Sequence, residues 1–179
     1  MKYSDATSDI DTPRKILKVN HAGEFGAINI YRAQLLVCRL FMPSHVPMLQ
    51  HFLSDETRHL GVFWDEIQSR RGEKCKSYWF CGIGGYAMGF VSALLGTRGI
   101  MACTWAVESV VANHLQSQLA YLAAKGDKAA YEAVMSILDD EVNHRDTGFA
   151  LGGSSNRLYA PIRFMIATFT EGVIRFGMR

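Results

Sequence analysis

Two glutamates in this chain are each followed by a histidine three positions later, which pairs Glu56 with His59 and Glu141 with His144. In a helix, residues three apart lie on one face, so both side chains of a pair can reach the same point. A carboxylate and an imidazole together suit iron, manganese or zinc, and the sequence does not choose among these metals. One such pair is weak evidence of a metal site, whereas two form a stronger signal.

The two pairs belong to an internal repeat. Glu24 lies 32 residues before Glu56, and Glu108 lies 33 residues before Glu141. Each half of the chain therefore has a lone glutamate that is followed, at the distance of one helical hairpin, by a Glu-x-x-His motif. The matched spacing indicates two hairpins of the same design.

The elements that would position these residues are helices. Apolar residues recur at every third or fourth position over long windows, and strand patterns are few. We predict four main helices and a shorter last one, at about 12–42, 47–71, 87 or later to 124, 128–150 and 158–176. Each main helix carries a glutamate inside its apolar stripe, where an ionisable side chain is costly unless it is neutralised.

Four carboxylates that converge in a dry core would cost more free energy than the marginal stability of a domain allows. Lys and Arg are missing from these stripes. Two divalent cations would supply four positive charges, and the two histidines would complete the coordination. The alternative for any single glutamate is a position at the edge of its helix interface, from which it reaches water.

A bundle in which two helices each supply a glutamate and two others each supply Glu-x-x-His resembles the ferritin-like di-iron and di-manganese proteins. We therefore predict an all-α, ferritin-like four-helix bundle of two helical hairpins with a long crossover, plus an appended C-terminal helix. The predicted metal ligands are Glu24, Glu56, His59, Glu108, Glu141 and His144. By analogy with that motif, Glu56 and Glu141 would bridge the metals, while the caps would be Glu24 with His59 and Glu108 with His144.

Each of four other polar residues has two possible interpretations. Asp55 and Asp140 immediately precede the glutamates of the two motifs, so they either accept the N–H of a ligand histidine or lie solvated on a helix surface. His21 and His114 either hydrogen-bond near the site or are satisfied histidines of the core.

Composition narrows the class of protein. The formal net charge of +2 gives no electrostatic case for nucleic acid. The four cysteines form no C-x-x-C pair, so we expect free thiols. We expect one domain over residues 1–179, with residues 1–11 flexible and without an export or import signal. The uncharged stretch 77–97 is too rich in glycine to predict a transmembrane helix.

Residues 70–95 combine basic, aromatic and glycine-rich parts in that order. This order matches the layers of a lipid surface, so we expect this stretch and the apolar last helix to rest on a membrane. A lipid-soluble substrate would then enter the protein at this surface. The glycines of the stretch would let neighbouring segments part. The alternative is a crossover that only packs on the bundle.

The segments Asn-His-Ala-Gly-Glu-Phe-Gly-Ala at 20–27, Leu-Leu-Gly-Thr-Arg-Gly-Ile-Met-Ala-Cys-Thr at 94–104 and Val-Glu at 107–108 closely resemble the demethoxyubiquinone hydroxylase family of ubiquinone biosynthesis. The resemblance covers about 16–148. It implies O2-dependent hydroxylation of a polyprenyl benzoquinone at two iron ions, with NADH as electron donor. It also implies a peripheral membrane protein on the cytoplasmic face of a bacterial inner membrane, or on the matrix face of the mitochondrial inner membrane.

The family resemblance carries over all six ligands and implies catalytic roles for Glu108, Glu56, Glu141 and His114, the last in electron transfer. Possible partners under this reading are a lipid-binding accessory protein or a second copy of the chain. The sequence departs from the family at four positions that bear on electron transfer: Ser109, Leu115, Arg175 and Met178.

Two other functions compete with the hydroxylase. One is ferritin-like or rubrerythrin-like iron oxidation, iron storage or peroxide reduction, and the other is a helical partner protein whose metal is only structural. The apolar, glycine-rich stretch after residue 76 and the apolar last helix favour a lipid substrate over iron storage, because iron-storage cages usually present polar outer surfaces.

Overall fold

The computed structural model describes residues 12–154 and 159–177. Within them lie six α-helices and no strand: α1 (Thr12–Phe41), α2 (Val46–Ser69), α3 (Tyr78–Leu94), α4 (Gly96–Lys125), α5 (Lys128–Ala150) and α6 (Ala160–Gly177). The prediction of an all-α bundle with an extra C-terminal helix is confirmed. The predicted flexibility of residues 1–11 and the predicted first residue of the last helix, Leu158, lie outside the described residues.

Short turns fold α1 onto α2 and α4 onto α5. Pro43, which has no N–H to continue α1, begins a single 3-10 turn (Pro43–His45) before α2. Gly126 ends α4 with a φ of 71°, a left-handed conformation that glycine adopts without strain. Asp127 then caps α5 by accepting a hydrogen bond of 3.2 Å from the Ala130 N–H. The result is the two hairpins that the repeat predicts.

The third main helix starts within the predicted bound of about residue 87 or later, but the connection predicted before it is wrong. The glycine-rich stretch that the sequence places in the crossover is itself a helix, α3, and α4 begins only at Gly96. Gly96 has a φ of 74°, which breaks the chain direction between the two helices. Five glycines in 82–96 lower helix propensity, so the pattern reads as a loop, but packing of α3 on its neighbours offsets that loss.

Three glycines of α3 face α1 at close range. A Cβ atom would overlap the Gly26 carbonyl oxygen if placed at Gly85, and the Ile30 carbonyl oxygen if placed at Gly89. At Gly82 it would overlap the ring of Phe25. Because the contacts advance together along both helices, α3 runs parallel to α1. These glycines bring the helices together and do not let them part.

The last helix, α6, lies along α4 and α3. The Arg163 guanidinium stands 5.6 Å from the centroid of the Trp105 ring of α4. Phe169 packs beside Phe80 of α3, with ring centroids 5.6 Å apart. Across Ala160–Gly177, Ile166 is the one fully buried residue, so this helix covers the bundle from outside.

Two apolar clusters fill the bundle. One contains Leu17, Phe63, Leu122 and Ile137, and the other contains Tyr31, Leu49, Met101 and Ile166. Along α1, α2 and α4, the predicted metal ligands lie between the two clusters in sequence, and along α5 they follow the residues of the first cluster. The clusters therefore enclose a polar layer near the centre of the bundle.

The face of α3 turned away from α1 is apolar and exposed. It consists of Trp79, Phe80, Ile83, Tyr86, Phe90, Val91 and Leu94. None of the described helices is both long and apolar enough to cross a bilayer.

Candidate metal centre

The polar layer of the bundle consists of the six predicted ligands. All of them are at most 5% exposed: Glu24, Glu56, His59, Glu108, Glu141 and His144. Helices α1 and α4 each contribute one glutamate, and α2 and α5 each contribute a Glu-x-x-His pair. Sequence periodicity alone placed these residues on the inner faces, and the fold brings all six together.

Their donor atoms form two groups, each with one atom per residue lying within 4.8 Å of the others. The first group is Glu24, Glu56, His59 and Glu141, and the second is Glu56, Glu108, Glu141 and His144. The two glutamates of the motifs belong to both groups. This arrangement suits two adjacent cations with the motif glutamates between them.

Each histidine of the layer is held by an aspartate from the opposite hairpin. His59 Nε2 is 3.2 Å from Asp140 Oδ2, and His144 Nε2 is 3.0 Å from Asp55 Oδ2. These contacts leave Nδ1 of both rings directed at the glutamates. The expectation that the aspartates accept ligand N–H groups across the bundle is confirmed, and Arg58 also pairs with Asp140.

Burial makes the charges of this layer uneven. Burial raises the pKa of Glu24 and of Glu108 well above the ordinary value for a carboxyl group. Burial also opposes ionisation of Glu56, but its close contacts with the imidazoles of His144 and His59 outweigh it and lower the pKa of Glu56 to about 2. Burial opposes ionisation of His59 and His144 as well, but contacts with glutamates outweigh it and raise the pKa values of both rings.

Several buried oxygen and nitrogen atoms of the layer that could bind a metal have no hydrogen-bond partner among the described residues. They are both carboxylate oxygens of Glu56, Oε1 of Glu141, and Nδ1 of His59 and of His144. Buried polar atoms are nearly always satisfied, so this many orphaned lone pairs in one place require a partner. Mixed carboxylate and imidazole donors fit divalent transition-metal ions.

Tyr31 is a member of this layer that the sequence argument missed. Its phenolic oxygen donates a hydrogen bond of 2.9 Å to Glu108 Oε1, and the ring is fully buried. Tyr31 lies seven residues after Glu24, on the same face of α1. This spacing from Glu24 was the feature of the sequence that could have identified Tyr31 as part of the layer.

A cavity leads from the polar layer toward α3 and α6. Four carboxylates line it: Glu24, Glu56, Glu108 and Glu141. Its other walls are largely apolar and include Ala27, Ile30, Met88, Val107, Val111 and Phe169. The candidate metal centre is therefore reached through a passage with largely apolar walls, between the bundle and the outer helices α3 and α6.

His114 borders the same cavity one and a half turns beyond Glu108, and it is not among the groups that could hold a metal. Its Nε2 is 2.6 Å from Glu171 Oε2 of α6. His21 lies elsewhere, stacked between Trp64 and Tyr78, and burial lowers its pKa to about 4. Glu171 had no signal in the sequence, because α6 has no periodic link to the motifs.

The family described as Ubiquinone biosynthesis protein COQ7 matches residues 11–177 of the chain. The chain belongs to the COQ7 family. The match covers all six helices and every residue of the polar layer. The resemblance that the sequence motifs indicate is confirmed.

Curated relatives agree with this assignment to the COQ7 family. The chain is 32% identical over 167 residues to the NADPH-dependent 3-demethoxyubiquinone 3-hydroxylase, mitochondrial, of Dictyostelium discoideum, covering 92% of this chain and 76% of the relative. For the protein of the same name in Rattus norvegicus, the identity is 36% over 169 residues, with the same coverages. The 3-demethoxyubiquinol 3-hydroxylase of Rhodospirillum rubrum is 34% identical over 139 residues, which cover 77% of this chain and 64% of the relative.

Three of the four departures from the COQ7 family pattern have definite places in the structure. Ser109 donates to the Trp105 carbonyl oxygen at 2.5 Å, one turn earlier in α4. Leu115 is buried in the first apolar cluster, and Arg175 pairs with Glu171. Met178 lies outside the described residues. None of the three described departures belongs to the metal-binding groups.

Proposed function

We propose that this chain is a di-iron monooxygenase that hydroxylates the ring of a polyprenyl benzoquinone, demethoxyubiquinone, in ubiquinone biosynthesis. The observation that carries the proposal is the cavity with apolar walls and four carboxylates, three of them in each metal-binding group and two of them shared by both. The relatives' names, which specify hydroxylation of demethoxyubiquinone or its quinol, supply the substrate class.

The residues proposed to hold the metals are the six of the polar layer. Glu24 with His59 would cap one ion, Glu108 with His144 the other, and the glutamates shared by both groups would bridge. Iron bound there would supply the redox chemistry that activates O2. Manganese suits the same donors, so iron is the choice favoured by the reaction and not by the ligands.

The protein's own groups set the conditions for this chemistry. Asp55 and Asp140 fix the orientation of the two ligand histidines, because each accepts the Nε2 proton and leaves Nδ1 for the metal. The apolar walls exclude water and can hold a quinone ring against the carboxylates. Tyr31 fixes Glu108 through its hydrogen bond. Glu56, Glu108, Glu141 and His114 are the residues proposed to act at the reacting atoms.

The proposed reductant is a reduced nicotinamide nucleotide. The sequence resemblance implies NADH, whereas the names of several relatives specify NADPH. Both nucleotides donate a hydride equivalent of two electrons, which is the number that one hydroxylation by O2 consumes. Comparison of the two at equal concentration decides between them.

A polyprenyl quinone partitions into lipid, so the substrate has to reach the cavity from a membrane. Phe80 of the exposed apolar face of α3 borders one groove with Phe176 of α6, and Phe164 and Met165 of α6 are exposed as well. Lys74 and Lys76 precede α3, where they would meet lipid headgroups. We place the protein peripherally on a membrane, on the cytoplasmic face in a bacterium or the matrix face in a mitochondrion. A lipid-binding accessory protein or a second copy of the chain are alternative partners for this surface.

The deciding experiment loads the protein with iron and reduces it chemically before O2 and a short-tailed demethoxyubiquinone analogue are added. Formation of the ring-hydroxylated quinone, with NADH or NADPH supporting repeated turnover, supports the proposal. Consumption of O2 with mineralised iron and no quinone product would instead establish iron oxidation. Glu108→Ala should abolish product formation while the helical content is unchanged, because the buried carboxylate carries its own desolvation cost.

A further inference from the structure

A chain of hydrogen bonds runs from solvent to the cavity wall through α6 and α4. Arg175 Nε donates to Glu171 Oε1 at 2.7 Å, and Oε2 of the same carboxylate is 2.6 Å from His114 Nε2. The exposed fraction of the side chain falls from 61% for Arg175 to 28% for Glu171 and 8% for His114. The chain therefore connects bulk water with a buried imidazole at the cavity.

Other polar groups on the cavity wall are poorly suited to exchange protons. Asn20 exchanges two hydrogen bonds with Gln118, at 2.7 and 3.0 Å. The Thr170 hydroxyl donates to a backbone carbonyl of its own helix. Burial raises the pKa of the Cys81 thiol to about 11. Outside the four carboxylates, His114 is thus the described lining residue that combines a titratable group with a route to solvent.

Hydroxylation of a ring C–H bond by O2 consumes two electrons and two protons and yields one C–OH group and one water molecule. Under the proposed function, on which this inference rests, the electrons come from the nicotinamide nucleotide. The protons come from solvent and have to cross largely apolar walls.

We propose that Glu171 and His114 form the proton entry route of this site. The Glu171 carboxylate takes up a proton from water and passes it to Nε2 of the neutral His114 ring, and the imidazolium so formed gives up its Nδ1 proton at the cavity wall. The ring is then left with its proton on Nε2, and rotation of the imidazole restores the starting form for the second proton. Arg175 is a positioning residue, because its bond to Oε1 leaves Oε2 facing the ring.

The charges along the route support this direction of transfer. Burial opposes ionisation of Glu171, but His114 and Arg175 outweigh it and lower the pKa of this carboxyl group. Glu171 is therefore a carboxylate near neutral pH, and its charge stabilises the positive ring that follows proton uptake. A histidine and a carboxylate within hydrogen-bonding distance are the usual parts of biological acid–base catalysis.

The alternative is that the pair only fastens α6 to α4. Glu171→Gln separates the two explanations, since it keeps the size and hydrogen-bonding capacity of the side chain but removes its charge and proton affinity. Glu171→Asp retains a carboxylate. Arg163→Gln is the matched control, because Arg163 also joins α6 to neighbouring segments but does not border the cavity.

The test measures single-turnover hydroxylation by iron-loaded, chemically reduced protein in H2O and in D2O, with metal content and thermal midpoint recorded for each variant. Glu171→Gln should lower the single-turnover rate constant by about 10- to 100-fold at an unchanged half-saturating quinone concentration, with a larger solvent isotope effect. Glu171→Asp should restore part of the rate, and Arg163→Gln should match wild type. A Glu171→Gln rate and isotope effect equal to those of wild type would overturn the inference.

A second readout does not depend on hydroxylation. Nitrogen-15 NMR of the metal-free protein near neutral pH reports the protonation of the His114 ring. The doubly protonated fraction should fall in Glu171→Gln and stay at the wild-type level in Arg163→Gln, and equal fractions in all three proteins would overturn the inference. If wild type consumes O2 without forming a hydroxylated quinone, the proposed function fails, and the NMR result still decides the role of Glu171.

Discussion

The phenolic oxygen of Tyr31 donates a 2.9 Å hydrogen bond to Glu108 Oε1, which joins α1 to α4 inside the candidate metal centre. Glu108 is one of the two carboxylates in this layer whose pKa burial raises well above the ordinary value, and the bond to Tyr31 lowers it. Tyr31 therefore stabilises the ionised form of a proposed ligand.

Replacement of Tyr31 by phenylalanine should weaken the second metal-binding group without emptying it. The change removes one hydrogen bond and leaves Glu108 less satisfied, which should cost about 1–3 kcal/mol in the unfolding free energy or the metal affinity. Iron titration followed by metal analysis should show weaker uptake of the second equivalent. Tyr121→Phe, in the same bundle but outside the metal-binding groups, is the control, and equal affinities for both variants would contradict the assigned role.

Metal binding at the polar layer should reach two equivalents per chain. Glu56→Ala or Glu141→Ala should lose more metal than Glu24→Ala or Glu108→Ala, because the first pair belongs to both donor groups. Inductively coupled plasma analysis after iron loading measures the content. Glu132→Ala, an exposed glutamate of α5, should bind as wild type does, and a single equivalent in wild type would exclude a dinuclear centre.

The metal-free protein should become less stable as the pH rises from about 5.5 to about 8. Glu24 and Glu108 have pKa values above those of the unfolded chain, as do His59 and His144, so the folded state binds more protons. Stability from groups with raised pKa values is present at low pH and is lost as the pH passes the folded value.

Metal loading should reverse that trend, because cations take the place of the bound protons. Calorimetric unfolding of both forms over this pH range measures the effect. A metal-free thermal midpoint that rises with pH would show that the layer is not protonated as described.

Asp127 joins a cap to an ion pair at the start of α5. Its carboxylate accepts the Ala130 N–H and binds Arg70 Nη1 and Nη2 at 2.7 Å each. Asp127→Ala removes both interactions and should destabilise the fold by about 1–3 kcal/mol. Asp127→Asn keeps a cap but loses the ion pair, so its loss should be smaller.

The Asp127 ion pair should also respond to acid. Arg70 lowers the pKa of Asp127, so the pair contributes fully above the ordinary carboxyl pKa and is lost as the pH falls through the lower folded value. Urea unfolding near neutral pH and below about pH 3.5 should therefore show the difference between wild type and Asp127→Asn shrinking in acid. A constant difference would exclude the ion pair as its cause.

Liposome binding should depend on the exposed face of α3. Ile83 is 74% exposed there, and Met135 is a half-exposed apolar residue of α5. Ile83→Asp should reduce flotation with anionic vesicles, because a charge is costly among lipid tails, while Met135→Asp should float as wild type does. Charge reversal at Lys74 and Lys76 should weaken binding further at low salt. Equal flotation of all variants would place the lipid contact elsewhere.

The bundle and the inward placement of its ligands were predictable because both follow from helical periodicity. Glu24, Glu56 and their counterparts stand out as charges in apolar stripes, and the repeat links them in pairs. The helix α3 was not predictable in the same way. Its glycines lower local helix propensity, and only their tertiary contacts explain them: the α1 backbone at Gly85 and Gly89, and aromatic rings at Gly82 and Gly84.

The contacts between α6 and the centre were also beyond the sequence. The pairing of Glu171 with His114 spans 57 residues and two helices whose relative placement no local pattern fixes. Tyr31 was within reach, since it shares a helix face with Glu24, but a tyrosine in an apolar stripe is ordinary core composition until its hydroxyl is seen to have a partner.

The glycine contacts give the two outer walls of the cavity different freedom. At Gly85 and Gly89 the backbones of α3 and α1 touch, so α3 has no room to move inward at these positions. By comparison, α6 has one fully buried residue, and its other apolar contacts come from partly buried side chains such as Ile162 and Val173. Entry of a bulky ligand should therefore displace α6 and leave α3 in place. Substitutions that change which quinones bind can then accumulate in the last helix, while the helices that carry the proposed metal ligands stay unchanged.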